Sequence, residues 1–173
     1  MTNNLFVGCG NMGQAMVAGW LLAGEDPESF TVVRPSGTPV SGVRTVRSIG
    51  EADVIPDRLL LGFKPQQLRE LGPDVANWVT SKTVVVSMLA GADMATLRGF
   101  FPRARAIVRV MPNLPVAVRR GVLPLLASDP ADSALQSELQ PWFSMLGFAP
   151  WCASEEEFGS FGFVSGSTPA YLA

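Results

Sequence analysis

Leu5-Phe6-Val7-Gly8-Cys9-Gly10-Asn11-Met12-Gly13 decides how this chain folds. Its first three residues form an apolar run closed by a glycine, and beyond the turn Met12, Ala15, Met16, Gly19 and Leu22 recur at the spacing of one helix face. The stretch therefore predicts strand, tight turn and helix, with G-x-G-x-x-G laid across the turn. In that context Gly8 permits the turn, Gly10 lets a pyrophosphate approach the backbone, and Gly13 lets helix and strand pack closely. The free N–H groups of the helix start supply the anion site. A glycine turn without a ligand is the plainer alternative, but the strand before and the helix after favour dinucleotide binding. Cys9 reads as a small spacer rather than a nucleophile.

Working outward, Gly24 with Glu25-Asp26-Pro27 ends the helix, and Phe30-Thr31-Val32-Val33 is a second buried strand closed by Pro35-Ser36-Gly37. Further apolar runs at 43–46, 59–63, 84–88, 106–110 and 122–126 alternate with helical patterns at 67–79 and 94–101. Near-continuous apolar strands separated by helical crossovers are the mark of a sheet covered on both faces. The expected architecture is α/β, a Rossmann-type doubly wound, mostly parallel sheet. Leu135, Leu139 and Phe143 predict another helix, 148–151 a last short strand, and Glu155-Glu156-Glu157 the start of a helix running through Phe158 and Phe161. From these patterns the last stretch reads as the start of one more helix, and no second domain is evident.

The chain has 173 residues, of which 47% are hydrophobic and 16% charged, enough apolar material for one packed domain. Thirteen Lys and Arg against fifteen Asp and Glu give a net charge of −2, and the absence of histidine removes Ser-His-Asp and Cys-His pairs, a histidine general base and His-ligated zinc. No metal site is expected. Six arginines, Arg98, Arg103, Arg105, Arg109, Arg119 and Arg120, lie between Met94 and Ser128 without an acid, but they are split among a helix end, a strand and a loop. They lack interleaved aromatics, so nucleic acid is not expected as a partner, and solvated surface with carboxylate attraction is preferred. No charge occurs before Glu25, yet the Gly8–Gln14 cluster and the absence of an early cation argue against a membrane span or a signal peptide. Two distant cysteines, Cys9 and Cys152, fit a reducing cytoplasm.

At the end of the second strand, where an NAD-specific protein places an acid against the ribose, the chain has Val33-Arg34-Pro35-Ser36. Arg34 and Ser36 can neutralise and hydrogen-bond a 2′-phosphate, which favours NADPH, with NADH possible but weaker. A solvated strand end is the alternative for Arg34.

Four segments together resemble pyrroline-5-carboxylate reductase: residues Val7 to Gly13, Lys64-Pro65-Gln66, Arg109-Val110-Met111-Pro112-Asn113-Leu114-Pro115, and Ser165-Gly166-Ser167-Thr168-Pro169-Ala170-Tyr171. The resemblance implies NADPH-dependent hydride transfer to the cyclic imine 1-pyrroline-5-carboxylate, giving L-proline. By it, Gly8, Cys9, Gly10, Asn11, Met12 and Gly13 hold the pyrophosphate, and Arg34 and Ser36 the adenosine phosphate side. Phe63, Lys64, Pro65, Ala90 and Gly91 attend the nicotinamide half, and Met111, Pro112 and Asn113 lie beside the reacting ring. A solvated strand end for Lys64 and a turn for Asn113 remain open beside these roles. Thr168 and Gly62-Phe63 depart from the family pattern. The resemblance also implies that residues 1–153 form the NADP-binding domain and 154–173 the beginning of a helical dimerisation domain, whose substrate-carboxylate loop is not recognised in these residues. A homo-oligomer is expected for a longer protein, and for this chain weak self-association and poor turnover. The alternatives are an NADP-binding module without catalysis, or another NADP-dependent imine or β-hydroxyacid reductase.

Overall fold

Alternate residues of each central strand are buried on opposite faces of one sheet, which is why the strands read as continuous apolar runs. The computed structural model describes residues 2–129 and 132–161. In chain order the elements are β1 (Asn4–Val7), α1 (Asn11–Leu22), β2 (Phe30–Val33), β3 (Arg44–Val46), β4 (Arg58–Leu61) and α2 (Leu68–Ala76). They continue with β5 (Val84–Ser87), α3 (Met94–Phe100), β6 (Ala106–Val110), β7 (Gly121–Val122), β8 (Leu125–Ala127), α4 (Ser133–Ser144) and β9 (Gly147–Phe148). Seven strands form the main sheet in the order β3-β2-β1-β4-β5-β6-β8, all parallel except β8, which runs antiparallel to β6. Phe6, Val32, Leu60, Val86 and Val108 face α1 and α4, while Leu5, Leu59, Val85 and Ile107 face α2 and α3. The expected doubly wound α/β fold is the one observed.

The first face is anchored by aromatic packing. The Trp20 ring stacks on Trp142 with centroids 4.0 Å apart, and its indole N–H donates to the Trp142 carbonyl at 2.9 Å. Leu22, read as part of the apolar face, is instead 63% exposed. It sits in the last turn of α1, where Trp20 takes the buried position. The run at 122–126 is not one strand but two. Pro124 has no N–H to give a ladder, so the chain breaks there; β7 pairs with β9, and β8 returns to the main sheet. The strand expected at 148–151 likewise shortens to β9 plus a single bridge from Trp151 to Leu125, because Pro150 interrupts it.

Residues 155–161 are helical, as the acidic opening predicts. Phe158 is buried there and Phe161 is partly buried against Leu126, Cys152 and Phe158, so both rings are covered within this chain. Residues 162–173, including Val164, Tyr171, Leu172 and the motif 165–171, lie outside the described residues. No helix among the described residues is long and apolar enough to cross a membrane.

The fold fixes where a ligand can sit. From β1 the chain winds outward to β2 and β3, then crosses back to β4 on the other side of β1. The loops leaving β1 and β4 therefore diverge, opening a crevice at the carboxyl ends of the strands.

Candidate cofactor site

The three glycines of the first loop are required for three different reasons. Gly8 has φ +76°, and a Cβ there would lie 2.7 Å from the Phe63 backbone nitrogen, so neither conformation nor space admits a side chain. Its N–H donates to Val33 O at 3.0 Å, tying the loop to the end of β2. A Cβ on Gly13 would lie 2.9 Å from Cys9 Sγ, so Gly13 lets α1 press onto its own loop. Gly10 is unlike both: its φ of −75° is ordinary, and nothing stands within 4 Å of where a Cβ would be. Only the crevice gains from its bareness. The first turn of α1 has no acid, and Gln14 is the first residue whose N–H bonds back, to Gly10 O at 3.0 Å. The N–H groups of Asn11, Met12 and Gly13 are thus the donors a helix start leaves for an anion.

Two adjoining cavities meet at Gly10, Gly62 and Phe63. The larger, about 900 Å3, reaches the ends of β2 and β3 and is lined by Arg34 and Ser36. Arg34 Nη1 donates to Thr38 O at 3.2 Å, and the Thr38 N–H donates to Ser36 Oγ at 3.2 Å, which fixes this loop under the cavity. Arg47 and Ser48 line the same corner and were missed by the sequence reading. The available signal was position: Arg47 directly follows β3, as Arg34 follows β2. A Cβ on Gly37 would meet Arg47 Nε at 2.7 Å, so the Arg47 side chain lies across the loop that follows Arg34. Glu51, whose carboxyl is held below the usual range by the Arg47 N–H and then the Ser48 hydroxyl, fastens the turn from beneath.

The smaller cavity, about 350 Å3, runs to the ends of β5 and β6 and is lined by Met88, Ala90, Arg109, Met111, Pro112 and Phe158, among others. Asn11, Met12 and Gly13 line its near side. The structure thus brings most of the expected residues to one crevice but redistributes some. Lys64 and Pro65 lie on the wall of the larger cavity, not with Met111 and Pro112, while Phe63 touches both. Gly91 and Asn113 line neither. Asn113 Oδ1 accepts the Val122 N–H at 2.9 Å, a turn role that holds the entry to β7.

Cys9 and Cys152 are both free and buried. Burial pushes the Cys9 thiol up to about 11, with Arg34 opposing the shift. A thiol so held is protonated at neutral pH and cannot act as a nucleophile, which agrees with the spacer role. Its linkage has a definite sign. The folded form keeps a proton that the unfolded chain gives up from pH 9.0, so this contribution to stability is complete below pH 9.0 and is lost as pH rises towards about 11. Chemical denaturation at stepped pH should show Cys9→Ala losing less stability than the unaltered chain across that window. Parallel losses would place the titration elsewhere.

The six arginines make no common face. Arg98 donates to Ala104 O and Ser128 Oγ, Arg103 to Ala76 O, and Arg119 to Met145 O, while Arg105 pairs with Glu138 at 2.7 Å. Arg109 corrects the reading as solvated surface: its side chain is 9% exposed and lines the smaller cavity. Its buried position on β6, an interior strand, is the physical reason.

No family model matches the chain. It is 31% identical over 176 residues to pyrroline-5-carboxylate reductase of Pasteurella multocida, covering 96% of this chain and 64% of that protein. A pyrroline-5-carboxylate reductase structure from Coxiella burnetii superposes with a TM-score of 0.87 at 27% identity, covering 99% of this chain and 66% of that one. The Plasmodium falciparum pyrroline carboxylate reductase with NADP bound, 22% identical, shares the fold with a TM-score of 0.86 and covers 99% of this chain and 64% of its own. The chain spans about 64% of the length of its curated relative, and along that length it is similar in both sequence and fold to pyrroline-5-carboxylate reductases.

Proposed function

We propose that this chain binds NADPH along the crevice and serves the reduction of 1-pyrroline-5-carboxylate to L-proline, as part of a cytoplasmic homo-oligomer. The observation that carries the reading is the continuity of the crevice: cationic at the end of β2 and β3, bare backbone at Gly10, apolar at the end of β6. That sequence of surfaces fits a dinucleotide read from its 2′-phosphate to its nicotinamide. Arg34, Arg47, Ser36 and Ser48 would hold the phosphate, and Gly10 with the first N–H groups of α1 the pyrophosphate. Met111, Pro112, Met88 and Phe158 would hold the reacting rings and exclude water from them. The relatives' names supply the substrate, and the Plasmodium neighbour is described with NADP.

Bound in this way, NADPH would supply the hydride from its reduced nicotinamide. A protonated imine already carries its proton, so hydride addition completes the amine without a residue acting as acid. The other reading, NADP binding without turnover, is favoured by one observation: the chain spans about 64% of the length of its curated relative. Another imine or β-hydroxyacid reductase is the remaining alternative. In this proposal residues 1–153 form the cofactor-binding domain, Phe158 adds to its crevice, and the chain from 154 onward begins the surface that carries oligomerisation.

Calorimetric titration with NADPH and NADH tests the cofactor reading. NADPH should bind at least about tenfold tighter, since one charge-assisted hydrogen bond contributes about 1.5–3 kcal/mol. Equal affinities would remove the 2′-phosphate site. Loss of NADPH absorbance on adding pyrroline-5-carboxylate then separates a reductase from a binding module.

A further inference from the structure

Among the described residues lining the smaller cavity, Arg109 is the sole ionisable side chain. It leaves β6 at the crevice edge, yet it does not simply face the crevice. Arg109 Nη1 donates to Glu155 Oε2, and the guanidinium carbon lies 4.7 Å from the centre of the Phe158 ring. Both partners belong to the helix at 155–161. Glu155 reaches further, accepting the Met94 N–H at 3.2 Å through its other oxygen, so one carboxylate joins β6 to the start of α3. Beneath it Phe158 packs with Leu126 and Cys152, and Met94, Met111 and Phe161 close the cluster. The acids that bear on Arg109 are Glu155, by direct contact, and Asp93, which feels its charge.

The consequence is a wall built from two distant parts of the chain. Phe158 reaches the cavity only while its helix stays docked, and Met111, which the site reading places beside the reacting ring, packs in the same cluster. A guanidinium that is 9% exposed is costly to strand without its carboxylate, so the dock forms as a unit. We propose that Arg109 is a positioning residue: through Glu155 and Phe158 it holds the helix at 155–161 as the far wall of the crevice and so sets the environment of the nicotinamide ring. This rests on the reading of the crevice as an NADPH site.

The test compares Arg109→Met, Arg109→Lys and Glu155→Gln with the unaltered chain by two readouts. The first is the fluorescence gained when NADPH binds, set beside calorimetric binding of adenosine 2′,5′-bisphosphate. Arg109→Met should keep the bisphosphate affinity and lose most of the gain, with Arg109→Lys recovering part of it. The second is the rate at which an aromatic disulfide labels Cys152, identified by peptide mass. Cys152 should react about tenfold faster in Arg109→Met, the factor expected if about 1.4 kcal/mol of docking is lost, while Cys9 stays slow. Glu155→Gln, altered at the exposed partner, should show both effects more weakly and keeps the test decisive if Arg109→Met does not fold. Fast Cys152 with an unchanged NADPH signal would reduce Arg109 to a structural fastener and overturn the proposal. Slow Cys152 in every variant would show that the helix stays docked without Arg109 and would overturn the proposal. If bisphosphate and NADPH both fail to bind the unaltered chain, the cofactor reading fails first and the positioning role goes with it.

Discussion

Gly10→Val should abolish measurable NADPH binding while leaving the fold and its melting temperature nearly unchanged. The separation follows from the contrast among three glycines that look alike in sequence. A side chain at Gly8 would require a left-handed backbone and collide with the Phe63 backbone, and one at Gly13 would press on Cys9. Either substitution would damage the loop itself. At Gly10 the backbone is ordinary and the space beyond Cα is open to the crevice, so valine folds in without strain. The same branched side chain would then occupy the place where a pyrophosphate must approach the N–H groups of α1. Losing two charge-assisted hydrogen bonds of about 1.5–3 kcal/mol each weakens binding by at least about a hundredfold. Circular dichroism and calorimetry on one sample measure both halves of the expectation. A folded Gly10→Val chain that still binds NADPH would move the pyrophosphate away from this loop.

The contrast also shows what kind of information the sequence carried. The run from Leu5 to Gly13 was readable because period, turn and helix start all sit within a dozen residues, where local physics decides. The parallel sheet followed from burial on both faces, a property written directly into runs such as Leu59-Leu60-Leu61 and Val84-Val85-Val86. Features that depend on which distant segments meet were harder. Trp20 was hidden behind Leu22 because only the Trp142 ring, brought in by α4, selects between them. The break at Pro124 was visible as a proline, but the two sheets it separates are not, since β7 needs β9 to pair with. Arg109 read as one of six similar arginines until Glu155 and Phe158 were placed on it. Lys64 and Pro65 line the larger cavity rather than the smaller one with Met111 and Pro112, because order along the chain does not fix order along a groove.

Arg34→Asp should invert the cofactor preference, from NADPH to NADH. In the unaltered chain two guanidinium groups, Arg34 and Arg47, share one corner of the larger cavity with the Ser36 and Ser48 hydroxyls. They come from the ends of neighbouring strands, β2 and β3, and so approach the same point from two sides. The substitution removes one cation and adds an anion at the strand end where a carboxylate suits a ribose hydroxyl and repels a phosphate. Each charge-assisted bond lost weakens NADPH by about 1.5–3 kcal/mol, or roughly tenfold to a hundredfold, before repulsion is counted. NADH, which presents no 2′-phosphate, should bind as well as before or better. Arg47→Met should act in the same direction but less, because Arg47 is exposed and its attraction is screened by salt. Raising the salt concentration should therefore narrow the difference between Arg47→Met and the unaltered chain while leaving the Arg34→Asp inversion in place. Paired titrations of both cofactors at low and high salt give the result directly. An Arg34→Asp chain that still prefers NADPH would mean that the phosphate is held from the β3 side, by Arg47 and Ser48, with Arg34 serving only to brace the loop through Thr38.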